Sequence, residues 1–147
     1  MDMKEAMKKA GVAREAQGGG YFDSAGHLRP EFVSKENVDN LARKLGREEL
    51  NMHQLRRFFN YCREIERRLR SGQSPWEVEG TNVAKLSAFA ADAAGKKPPK
   101  IPPSFREFLD KNVERIRTEK DFLDGFMEHF EALVGFSALY MKEERQR

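Results

Sequence analysis

Residues 51–71 read NMHQLRRFFNYCREIERRLRS. Leu55, Phe58, Phe59, Cys62, Ile65 and Leu69 recur at helical spacing, so one face of an α-helix is apolar. Asn51 and Gln54 have the spacing of a capping pair. Leu50 and Leu55 have that of a hydrophobic staple, and Gly72 supplies a stop. On the other side Arg56, Asn60, Arg63, Arg67 and Arg70 fall in one row, with Arg57, Glu64 and Arg68 in a second row beside it. The helix thus combines a buried stripe with an arginine surface.

The rest of the chain reads the same way. Helical spacing recurs at Val38, Leu41, Ala42 and Leu45 in a helix from about Lys35 to Leu45, stopped by Gly46. The motif SPWE, with Ser74 as cap, Pro75 at the first helical position and Glu77 returning to the cap, opens a helix that Gly80 is expected to interrupt. Val83, Leu86, Phe89, Ala90 and Ala93 continue its stripe to Gly95. After the stiff connection KKPPKIPP, Ser104 and Glu107 form another capping pair, and Phe105, Phe108, Leu109, Val113 and Ile116 face inward. A last helix follows Thr118 and runs toward the end of the chain. Its two apolar rows, one through Phe122, Phe126, Phe130, Leu133, Ser137 and Tyr140 and one through Leu123, Met127, Val134 and Met141, make it the central packing element. Gly125 and Gly135 in that helix suggest close crossings.

No segment alternates with period two. The expected fold is therefore all-α, a compact five-helix bundle over residues 21–147. Residues 1–20 read as a flexible N-terminal arm, set off by Gly18, Gly19 and Gly20. YFDSAGHLRPEFV reads as an ordered loop packed onto the bundle. The 147 residues, 39% hydrophobic and 35% charged, suit one domain with a real core. The start of the chain lacks the apolar segment of a secretory signal, and no apolar run reaches bilayer length, so the expected location is cytoplasmic with no membrane partner.

Signals for chemistry are sparse. His27, His53 and His129 match no metal-binding spacing and read as surface or cap histidines. The lone Cys62 lies mid-stripe, where a cysteine packs as a small apolar residue. Gly18–Gly20 lacks the lysine and hydroxyl of a phosphate loop. Asp121 and Asp124 suit the positive end of a helix dipole. No cofactor, no metal and no catalytic residue is expected.

The charge pattern is more informative. The chain carries a net charge of +3, while residues 51–71 hold six arginines against two glutamates. A second basic zone, residues 95–117, has seven Lys or Arg against three Asp or Glu. Residues 72–94 and 118–147 are acidic. One reading of the arginine helix is a solvated face laced by Glu64 and Glu66. The other is a phosphate-binding face, since guanidinium groups match phosphate geometry and two glutamates fall short of six arginines.

The segments YFDSAGHLRPEFV, HQLRRFFNYCREIERRL and FLDGFMEHFEALVGFSALYMK together resemble the small subunit of type III-A CRISPR Csm effector complexes, over about residues 21–142. NVAKLSAFAADAAGKK resembles the third-helix region only loosely, and the N-terminal arm has no counterpart. The resemblance implies a non-catalytic helical bundle that acts in antiviral defence. Several copies stack into an inner filament and line the groove holding the guide RNA–target RNA duplex, while neighbouring subunits cleave. The implied partners are guide RNA, target single-stranded RNA, other Csm subunits and further copies of the chain. Carried onto these positions, Arg56, Arg57 and Arg63 are first choices for RNA contact, and Arg67, Arg68 and Lys85 second. Two further readings stand beside this one: a helix-turn-helix DNA-binding regulator built on the first two helices, and a pure protein-interaction bundle.

Overall fold

A computed structural model describes residues 20–142. The arm expected over residues 1–20 lies, apart from Gly20, outside them. Five α-helices follow one another: α1 (Asn40–Arg47), α2 (Met52–Arg70), α3 (Trp76–Gly95), α4 (Pro103–Arg115) and α5 (Met127–Ser137). Among the described residues there is no strand, only an isolated antiparallel bridge between Phe22 and Leu28. The all-α bundle is as the periodicity required.

The first and last helices are entered through a π-helical turn, Lys35–Asp39 before α1 and Asp121–Phe126 before α5. At the second of these, the Thr118 hydroxyl accepts from the Asp121 amide at 3.0 Å. The Asp121 carboxylate in turn accepts from the amides of Arg117 and Thr118 at 2.9 and 3.2 Å. This reciprocal exchange satisfies amides that a helix start leaves without partners. Phe122, Phe126, Phe130 and Leu133 are fully buried, so the last helix is the packing centre the double apolar row implied. Phe130 meets Phe59 of α2 and Phe108 of α4 edge-on, with ring centroids 5.1 and 5.5 Å away. Such a contact joins three helices through one side chain.

The loop of residues 20–34 is part of this core. Tyr21 is fully buried, and its hydroxyl donates to Asn112 of α4 at 2.6 Å. Its ring lies where a side chain on residue 125 would be. A Cβ at Gly125 would stand 2.6 Å from Tyr21 Cγ, so only glycine lets loop and helix meet. Gly135 has no such neighbour and faces open space, contrary to the close crossing expected there.

Other local expectations are corrected. α3 is continuous through Gly80, whose neighbour is the Trp76 ring. Ser74 and Ser104 make no helix caps; Pro75 and Pro102 precede the two helices, and the Ser104 hydroxyl donates instead to Glu48 at 2.7 Å. Gly46 does not stop α1. The helix passes through it to Arg47, the left-handed position falls on Glu49 (φ 68°), and Gly46 makes room for the backbone of Tyr140. Phe89 is 44% exposed rather than core. α5 ends at Ser137, after which the backbone turns and the Lys142 carbonyl accepts from the Met52 amide at 3.0 Å, tying the segment after α5 to the start of α2.

Candidate nucleic-acid interface

α2 begins as its sequence specifies. The Asn51 side chain accepts from the Gln54 amide at 2.9 Å, and Leu50 and Leu55 are both buried. Leu55, Phe58, Cys62, Ile65 and Leu69 form the inward stripe. Burial pushes the Cys62 thiol far above its ordinary range, so it is a packing residue rather than a nucleophile.

The remaining circumference carries the arginines. Arg56, Arg57, Arg63, Arg67 and Arg70 are exposed and Arg68 is half-buried. The row of Arg57 and Arg68 borders α3. Tyr61, on the same side, donates its hydroxyl to the Asn82 carbonyl at 2.6 Å, and Arg68 reaches Glu79. That register runs α3 antiparallel to α2 and sets exposed Lys85 level with the N-terminal half of α2, on the Arg57 side. The two groups of RNA-contact residues named from the sequence thus share one region, except for the C-terminal arginines.

Those C-terminal arginines are engaged. Arg63 bonds Glu66 at 2.9 Å, Arg67 bonds Glu64 through Nε at 3.1 Å, and Arg70 reaches Glu66 at 3.4 Å and Asp124 at 3.9 Å. Arg68 grips the buried Glu79 with two bonds of 2.8 and 3.2 Å. Glu79 is also held by the Asn82 amide at 3.2 Å, and the Arg68 bond foremost keeps its carboxyl down at about 2. Counting glutamates within the helix therefore understated the neutralisation. Glu79 of α3 and Asp124 ahead of α5 add two carboxylates that the local sequence does not supply. Arg57 and Lys85 have no carboxylate partner among the described residues.

These ion pairs differ in kind. Arg63, Arg67 and Arg70 have half-exposed side chains, so solvent screens their pairs and a phosphate can compete for the guanidinium, although Glu66 itself is only 14% exposed. The Arg68–Glu79 pair is bidentate, with the carboxylate side chain 3% exposed, and clamps α2 to α3. A residue so held is poorly placed to turn toward a strand.

No group of three or more His, Cys, Asp or Glu side chains is arranged to hold a metal among the described residues, and no described helix is long and apolar enough to cross a membrane. His27 and His53 are exposed. His129 is not the surface residue expected. It is buried between Phe32 and Phe108, with Nδ1 donating to the Phe32 carbonyl at 2.6 Å.

Residues 33–143 match the family model Csm2 Type III-A. The chain belongs to that family. It is a small subunit of a type III-A CRISPR Csm complex, the assembly in which it associates with other Csm subunits. The matched span runs from just before the first π turn past the end of α5, so it takes in all five α-helices. No curated protein and no solved structure matches the chain. Membership in the Csm2 family favours the CRISPR reading over the DNA-binding regulator and the free-standing interaction bundle.

Proposed function

We propose that this Csm2-family subunit lines the groove holding guide and target RNA, that it contacts the RNA backbone without reading sequence, and that it performs no catalysis. Arg56 and Arg57 on the N-terminal half of α2, with Arg63 just past its middle, are the first contacts, flanked by Arg67 and Lys85. Arg68 is dropped from the RNA-binding set, because its guanidinium is committed to Glu79. Further copies of the chain, stacked along the RNA, are its repeated neighbours.

The observation that carries this reading is the exposed arginine surface of α2, beside exposed Lys85, in a chain of this family. Guanidinium groups on a rigid helix meet phosphates at fixed spacing, and phosphates carry no base identity. The Arg56→Ala/Arg57→Ala/Arg63→Ala variant tests it, measured for single-stranded RNA binding across a salt series and for target-RNA binding by the reconstituted Csm complex. The variant is expected to bind more weakly for every sequence, with a salt slope shallower by about 0.7 for each phosphate that is no longer neutralised. Unchanged affinity and slope would remove α2 from the interface.

A further inference from the structure

A second basic site lies where α4 ends. Arg115, in the last turn of α4, is half-buried, with its guanidinium over the Phe32 ring at 5.4 Å. Among the described residues it has no carboxylate and no other acceptor for its side-chain N–H groups. Its nitrogens are not among the buried side-chain atoms that lack a partner, so its donors stay open toward the surface while the ring face holds the guanidinium. Arg115 and His129 border two adjoining clefts, one of about 240 Å³ shared with Lys44 and Lys111, the other of about 470 Å³ shared with Arg29 and Glu31. None of these residues belongs to the arginine surface of α2.

Charge decides what such a space accepts. In the smaller cleft Lys111 is spent on Glu107, at 2.7 Å. Among the described residues Lys44 and Arg115 make no ion pair, though Lys44 lies within electrostatic reach of Glu107. In the larger one Arg29 and Glu31 balance. Burial disfavours a charge on His129, whose Nδ1–H donates to the Phe32 carbonyl. The smaller cleft is below the range of drug-sized pockets, about 300–1,000 Å³, and suits one compact anion.

We propose that the cleft between Lys44, Arg115 and His129 is a binding site for a single phosphate group. Arg115 offers a fork of donors to two phosphate oxygens, Lys44 adds a mobile ammonium from α1, and the site thereby bridges α1 and α4. The phosphate is either inorganic or one link of an RNA backbone that reaches this face. Burial first, and the Arg115 charge in addition, hold His129 below its ordinary protonation range, while the Phe32 bond opposes them. An anion seated on Arg115 removes the second influence, so His129 is a natural reporter.

The chain's three histidines make the test specific. His53 sits in the first turn of α2, His27 in the loop, and His129 in the cleft. Inorganic phosphate, titrated against the full chain at matched ionic strength and followed by the ring resonances, is expected to move His129 and to leave His27 and His53 in place. Arg115→Gln is expected to weaken that response about tenfold or more, as for the removal of one charge-assisted pair, and exposed Lys44→Gln to weaken it less. Should Arg115→Gln lose its cooperative melting transition, Lys44→Gln and Arg115→Lys carry the comparison. A short unstructured RNA that moves His129 together with His53 identifies a backbone phosphate as the occupant. RNA that moves His53 alone, beside a His129 response to inorganic phosphate, identifies the free anion. A His129 resonance indifferent to both probes, or a response equally strong in Arg115→Gln and Lys44→Gln, overturns the site. That outcome leaves the α2 reading intact, because α2 is judged by its own triple variant.

Discussion

The α2 surface and the Arg115 cleft present cations in opposite ways. α2 has six arginines, yet Arg63, Arg67, Arg68 and Arg70 already face Glu64, Glu66, Glu79 or Asp124. The cleft has fewer cations, but Arg115 has no acceptor among the described residues. Basic residues counted along a chain measure charge, whereas binding draws on charge that is not already matched. The pairs on α2 are also unequal, since those in water exchange readily and the pair at Glu79 does not.

The largest effect expected from disturbing this contrast is at Glu79. Glu79→Ala removes the partner of Arg68 and should cost about 3 kcal/mol in a denaturant titration, since Arg68 is left half-buried without its carboxylate. The same variant frees a guanidinium, so RNA binding by the folded fraction should tighten. A melt indistinguishable from the parent would mean that the α2–α3 clamp carries no weight.

Acid should expose the same clamp more gradually. Glu79 has a folded pKa depressed from 4.5 to about 2. The stability it confers is complete above the unfolded value and fades as pH falls from 4.5 toward 2. Glu79→Gln should remove part of the parent's acid sensitivity in that window; parallel pH–stability curves for the two proteins would contradict this assignment.

The smallest effect is expected at Glu66, whose mostly buried side chain faces the half-exposed Arg63 and Arg70. Glu66→Gln should change stability by less than about 1 kcal/mol. It should strengthen RNA binding by about twofold to threefold at low salt and not at high salt, where such charges are screened. A loss of RNA affinity in this variant would indicate that Glu66 positions the arginines rather than competing for them.

Much of the bundle is legible in the sequence. The stripe of α2, the Asn51 cap and the apolar row of the last helix through Phe122, Phe126, Phe130, Leu133 and Ser137 are local signals that the structure places as read, whereas Tyr140 and Met141 lie beyond the helix end. Three of the misreadings began with a local signal. Ser74, Ser104 and Gly46 carry familiar local signals, but each is overruled by a partner distant in sequence or by a proline close by: Ser104 serves Glu48, Gly46 accommodates Tyr140, and Pro75 and Pro102 precede the helices. His129 shows no motif because its partner is a backbone carbonyl 97 residues away.

The amino-acid sequence by itself determined the all-α class, the course of the five helices and the placing of arginines on one surface of α2. These follow from side-chain spacing on a helix, which neighbours in sequence dictate. Only the tertiary structure decided which cations remain available. Glu79 and Asp124 come to α2 from other elements, and Phe32, Lys44 and His129 come to Arg115 from three separate stretches. Electrostatic matching acts through space at a few ångströms, and proximity of that kind is created when the helices pack.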